Sequence, residues 1–179
     1  TTTCVDTLSV LAPNCACPAI AAPIVPMGDT ICFGDASSSV SATVPTGITI
    51  DWYSVASGGT TLLSNSASYT PTVTAAGDYI FFAESKDTLN GCLSATRTAV
   101  NYKINPKPTL SVTAPTCAPD FLTYSITFVS NGTVTSTAGT VSGNTVTGIL
   151  SGTNVTLTAT NTTTTCVDTL SVLAPNCAC

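Results

Sequence analysis

LTYSITFVS, residues 122–130, sets Leu122, Tyr124, Ile126 and Phe128 against Thr123, Ser125 and Thr127. Successive side chains of an extended strand point to opposite faces, so a strict two-residue period describes a strand with one face buried. The same period recurs along the chain. Ile48, Ile50 and Trp52 alternate with Thr49 and Asp51 in GITIDWYS (47–54), and Val100, Tyr102 and Ile104 with Ala99, Asn101 and Lys103 in RTAVNYKI (97–104). Val155, Leu157 and Ala159 line one side of NVTLTATN (154–161). Turn sequences separate such runs: SGG, AAGD, LNG, SNG and VSGN. Thr and Val suit a pleated surface, strong helix formers are scarce, and no stretch sustains a 3.6-residue period. The chain is expected to be all-β, with two Greek-key β-sandwiches as its architecture.

Composition narrows the function classes. Apolar residues make up 44 % of the 179 and charged residues only 7 %, against about a quarter charged in ordinary domains. That is too apolar for a disordered chain. The longest charge-free apolar run, PAIAAPIVPM (18–27), is too short and too rich in proline to cross a bilayer. Four basic residues, Lys86, Arg97, Lys103 and Lys107, face nine acidic ones, so no footprint for nucleic acid is expected.

The chain contains no histidine, which excludes a His-based triad, imidazole acid–base chemistry and His metal ligands. The carboxylates of Asp6, Asp29, Asp35, Asp51, Asp78, Glu84, Asp87, Asp120 and Asp168 are scattered, without the spacing of a glycosidase dyad or a calcium loop. Asp29 or Asp35 at a junction remains a candidate calcium ligand. Ser57–Gly59 reads as a turn, not a phosphate cradle, because no helix follows it. No enzymatic activity and no cofactor are expected.

One feature organises the rest. TTTCVDTLSVLAPNCAC, residues 1–17, returns letter for letter as residues 163–179, an offset of 162. Such identity is expected of a window slightly longer than one unit of a tandem array. With no initiator Met and no signal peptide at Thr1, the chain is expected to be part of something longer. Residues 1–17 are then the tail of a preceding repeat. NPKP (105–108) divides a first domain, 18–106, from a second, 107–179, and CPAIAAPIVP (17–26) joins a second domain to the next first domain. Both joints carry prolines and should be stiff. TLSVTAPTC (109–117) resembles TLSVLAPNC (169–177), through an older duplication or convergent edge-strand sequence.

The repeat also resolves the cysteines. One period, Cys4 to Thr165, contains Cys4, Cys15, Cys17, Cys32, Cys92 and Cys117, and Cys166, Cys177 and Cys179 copy the first three. Six is an even number, which favours disulfides over a thiolate zinc site and an oxidising, extracellular location. The Cys-Ala-Cys pairs, Cys15/Cys17 and Cys177/Cys179, either close on themselves in a strained ring or pair with a neighbouring unit or chain.

ICFGD, DWYSVASGGTTL, SYTPTVTAAGDYIFFAES and NGCLSATRTAV, spread over residues 28–104, resemble the immunoglobulin-like repeats of large cell-surface and secreted proteins of Bacteroidetes. The second domain resembles, more weakly, modules that accompany such repeats. The resemblance implies two tandem immunoglobulin-like sandwiches per period, with Trp52 and Tyr79 as core anchors, Tyr79 standing where such a domain places its corner tyrosine. Phe81 stands where the second core cysteine would be. A displaced staple, Cys32 to Cys92, is therefore expected, and by the same logic Cys117 to Cys166. Cys4 would pair with the preceding unit's counterpart of Cys117.

Asp-Thr before an aliphatic residue recurs at 6–8, 29–31, 87–89 and 168–170. It resembles the O-glycosylation signal of exported Bacteroidetes proteins, naming Thr7, Thr30, Thr88 and Thr169 as acceptors; Asp-Thr also serves simply in turns. Sequons at Asn131, Asn154 and Asn161 read as coincidental. The expected role is a structural repeat of a long extracellular filament or stalk-like adhesin. Its expected partners are neighbouring repeats or identical chains in a fibre. The alternative is a carbohydrate-binding module, stacking Tyr53, Tyr69 or Phe33 on a surface polysaccharide.

Overall fold

A computed structural model describes residues 17–177. These form fifteen strands and, among the described residues, no helix. The strands are β1 (Asp29–Cys32), β2 (Val40–Ser41), β3 (Ile48–Tyr53), β4 (Thr61–Leu63), β5 (Ser68–Tyr69), β6 (Gly77–Asp87), β7 (Thr98–Asn105) and β8 (Leu110–Val112). They continue with β9 (Thr116–Cys117), β10 (Thr123–Ser130), β11 (Thr133–Ser136), β12 (Thr140–Ser142), β13 (Thr145–Leu150), β14 (Val155–Thr160) and β15 (Val167–Val172). The all-β expectation holds.

Four sheets result: β1-β7-β6-β3-β4; β12-β13-β10-β8, with β9 also on β10; β11-β14-β15; and the pair β2-β5. Residue contacts divide the chain into two compact units that interleave in sequence. Among the described residues the first contains 17–27, 40–69 and 80–100, and the second 28–39, 70–79 and 101–177.

In the first unit β3 lies antiparallel between β6 and β4, with Trp52 opposite Ala83 and Leu63. Trp52 is fully buried and its indole Nε1 donates to the Ser66 carbonyl at 2.9 Å. Its ring stacks on Tyr69 at 5.9 Å, and Tyr69 meets Phe81 edge-on at 5.1 Å. Phe81, standing where a core cysteine would be, thus closes an aromatic trio; such pairs add about 0.5–1.5 kcal/mol beyond burial. Alternation fails at the end of β3, where Asp51 and Tyr53 are buried as well as Ile50 and Trp52. Both faces of that strand are covered.

In the second unit, β1 runs parallel to β7, pairing Asp29 with Tyr102 and Cys32 with Asn105. Gly28 permits the approach, since a Cβ there would sit 2.3 Å from the Asn101 carbonyl oxygen. The rest is a sandwich. Tyr124, Ile126 and Phe128 of β10, with Val146 and Ile149 of β13, pack against Val155 and Leu157 of β14 and Val172 of β15. Leu122, expected in the buried row, lies just before β10 and is 67 % exposed, because its carbonyl accepts the Ser151 amide in the adjoining turn. The outer face of β14 and β15 pairs Thr156 with Ser171 and Thr158 with Thr169. Hydroxyl ladders of this kind wet a sheet that carries little charge.

Candidate functional site: the disulfide framework

Among the described residues no group of three or more acidic or thiol side chains is arranged to hold a metal, Asp29 and Asp35 included. The described chemistry that joins distant parts of the chain is covalent. Three disulfides form: Cys17–Cys92 in the first unit, and Cys32–Cys166 and Cys117–Cys177 in the second. Their Cα separations are 5.5, 5.6 and 5.7 Å, inside the usual range for such bonds.

Each cysteine is aimed by its local structure. Cys92 closes the turn after β6: its amide donates to the Asn90 side chain at 2.9 Å, and its carbonyl accepts the Asp87 amide at 2.8 Å. Cys17 opens a segment fastened to the first unit by the Ile24–Thr43 bridge and by a 2.6 Å bond from the Thr98 hydroxyl to the Pro23 carbonyl. Cys32 ends β1 in a turn where the Asp35 amide donates to its carbonyl at 3.0 Å. Cys166 leaves a tight turn in which the Asn161 side chain accepts the amides of Thr163 and Thr164. Thr165 there adopts φ 60°, a left-handed conformation that costs a β-branched residue energy. Cys117 and Cys177 occupy matching places: each follows a strand, β8 or β15, and a proline, Pro115 or Pro175. The two related phrases 109–117 and 169–177 therefore end in the two halves of one disulfide.

The expected pairings are corrected. Cys32 does not bond Cys92, because the parallel register carries it to the Asn105 end of β7, whereas Cys92 precedes β7 and sits against β6. Cys117 does not bond Cys166, because Cys166 lies at the start of β15 and Cys177 beyond its end. Neither Cys17 nor Cys177 closes a ring with its Cys-Ala-Cys neighbour. Cys4, Cys15, Cys179 and Thr7 lie outside the described residues.

The other singled-out residues are placed as follows. Thr30, Thr88 and Thr169 are exposed, and the Thr88 hydroxyl donates to the Gly47 carbonyl at 2.9 Å. The Tyr79 hydroxyl donates to the Ala75 carbonyl at 2.8 Å, four residues upstream. Of the three aromatics considered for polysaccharide stacking, Tyr53 is buried under Arg97, whose Cζ is 3.3 Å from the ring centroid, and Tyr69 is half-buried with its ring engaged in the aromatic trio. Phe33 is 48 % exposed. Burial pushes the Tyr69 and Tyr124 hydroxyls above the usual phenol value.

Sequence reading missed the Arg97 cluster. Its guanidinium donates to the carbonyls of Val55 at 2.9 Å and Gly58 at 2.7 Å, and pairs with the buried Glu84 at 3.2 Å. The available signal was a lone arginine beside a turn, in a chain with only four cations.

Residues 20–106 match the family model described as an Ig-like domain, CHU_C associated. Among curated proteins the chain has no significant match. Among solved structures it is similar to fibronectin(III)-like modules of Clostridium thermocellum CbhA, with 19 % identity, 85 % of this chain and 92 % of that chain covered, and a TM-score of 0.34. An I-band fragment of titin is 14 % identical, with 87 % and 66 % covered and a TM-score of 0.37. Residues 20–106 are thus similar to an Ig-like domain, within an all-β, disulfide-stapled fold.

Proposed function

We propose that the chain is a structural, non-catalytic repeat of a long extracellular filament or stalk, built of tandem Ig-like sandwiches and acting through its neighbours in the array. One observation carries this reading: the sequence repeat and the disulfides close on the same period. The 162 residues that start at Cys17 contain Cys17, Cys32, Cys92, Cys117, Cys166 and Cys177, and these six bond only to one another. Cys4 and Cys15 then belong to the preceding period and Cys179 to the following one.

Further support comes from the three disulfides, which suit an oxidising location, and from the low charge and Thr-rich sheet faces. The exposure of Thr30, Thr88 and Thr169 suits them as acceptors of O-linked glycans, which would add polar surface. Burial of Tyr53 and the engagement of the half-buried Tyr69 in the aromatic trio weaken the polysaccharide-binding alternative. Two sandwiches per period give an axial repeat of roughly 70–80 Å at about 3.3 Å per strand residue. Electron microscopy of the full-length protein should show a thin fibre with that repeat. Particles without axial periodicity would rule the reading out.

A further inference from the structure

The disulfides interlace. Cys32 lies inside the Cys17–Cys92 loop, and Cys117 lies inside the Cys32–Cys166 loop. Two covalent routes consequently connect Cys17 to Cys177 and share no stretch of backbone. One follows the chain from Cys17 to Cys32, crosses to Cys166 and runs on to Cys177, using 15 and 11 residue steps. The other crosses at once to Cys92, follows 25 residue steps to Cys117 and crosses to Cys177. No single backbone break between Cys17 and Cys177 can separate those ends.

Resting on the tandem-array reading, we propose that this doubled connection continues from repeat to repeat, with the two cysteines of Cys-Ala-Cys bonding in opposite directions. Cys177 closes back onto Cys117 of its own period. Cys179 carries the sequence environment of Cys17, in the identical 17-residue stretch, and Cys17 bonds Cys92. Cys179 accordingly bonds the counterpart of Cys92 in the following repeat. Each bond forms by oxidation of two thiols to one disulfide, with two electrons and two protons passing to the thiol oxidants of an oxidising compartment.

The motif then has a function. Only the backbone through Ala178 is a single covalent strand, and every other part of the period is bypassed by a second route. Spacing the cysteines one residue apart makes the unprotected stretch about 7 Å long, two Cα–Cα steps. Ring closure between Cys177 and Cys179 would leave the route through Cys32 and Cys166 but forfeit the second route, in this repeat and in the next.

The chain's single methionine gives the test. Met27 is 82 % exposed and lies on the first route, between Cys17 and Cys32. A chain two periods long, oxidised and then cleaved at both methionines with cyanogen bromide, should remain one species without reductant. With reductant it should fall into three pieces, which also shows that cleavage was complete. The piece beyond the second cleavage is held only through Cys179. Its release without reductant would overturn the proposal, as would mass mapping of a Cys177–Cys179 ring. Native protein with a single period would defeat the array reading instead, whatever the two-period chain shows.

Discussion

A single guanidinium, that of Arg97, ties together an aromatic ring, a carboxylate and a loop. It lies over Tyr53, pairs with Glu84 and donates to the carbonyls of Val55 and Gly58. Glu84 is 8 % exposed, so removing its partner strands a buried charge, a change that costs about 3–5 kcal/mol. Arg97→Ala should therefore lower the unfolding free energy by about 3 kcal/mol in denaturant titrations with disulfides intact. Arg97→Lys should recover only part, because an ammonium cannot reproduce the planar fork. A loss below about 0.5 kcal/mol, typical of a surface pair, would contradict this account. Tyr69 and Tyr124 offer a second residue-scale test. Their hydroxyls titrate higher in the folded chain than in the unfolded one, so the folded state holds those protons more tightly. Their contribution is complete below the unfolded value near 10 and is lost as pH rises through the folded values. Ultraviolet titration should show two phenols ionising late, and Tyr69→Phe with Tyr124→Phe should flatten the alkaline loss of stability.

At the level of elements, alternation was enough to place β7, β10 and β14, whose buried rows are Val100-Tyr102-Ile104, Tyr124-Ile126-Phe128 and Val155-Leu157-Ala159. It could not place β1. DTIC is too short for a period, and its parallel pairing with β7 depends on a strand about seventy residues away. The cysteine connectivity failed for that reason, since six cysteines allow 15 pairings and the parallel register chooses among them. The burial of Asp51 and Tyr53 was equally hidden, because the alternating pattern cannot show that Asn65 and Lys86 meet Asp51 or that Arg97 lies over Tyr53. Gly28→Ala tests the register. A methyl group 2.3 Å from the Asn101 oxygen must push β1 off β7, and stability should fall by about 1–3 kcal/mol, as for other backbone clashes. Oxidative refolding should then leave Cys32 and Cys166 as free thiols in a larger fraction of molecules. Unchanged stability and complete pairing would show that β1 does not need this contact.

For the whole molecule, the disulfides do two things. In the loop-entropy picture, closing loops with sequence separations of 75, 134 and 60 residues stabilises the fold by about 4–5 kcal/mol for each bond taken alone. They also limit how far it can be drawn out. The likeness to an Ig-like domain could be recognised in the sequence from DWYSVASGG and NGCLSATR, and the tandem organisation proposed above rests on the repeated ends. The mechanical consequence could not, because it depends on which cysteines meet. Without its disulfides, a period pulled from Cys17 to Cys177 would extend to about 540 Å at roughly 3.4 Å per residue. With them, the shorter covalent route, 15 and 11 residue steps joined by one disulfide, limits it to about 90 Å. Single-molecule stretching of a multi-period chain, oxidised and then reduced, tests the central claim that each repeat is a tension-bearing link. Oxidised chains should stop lengthening at about 90 Å per period, and reduced chains should reach roughly six times that length. Equal extension in the two states would contradict it.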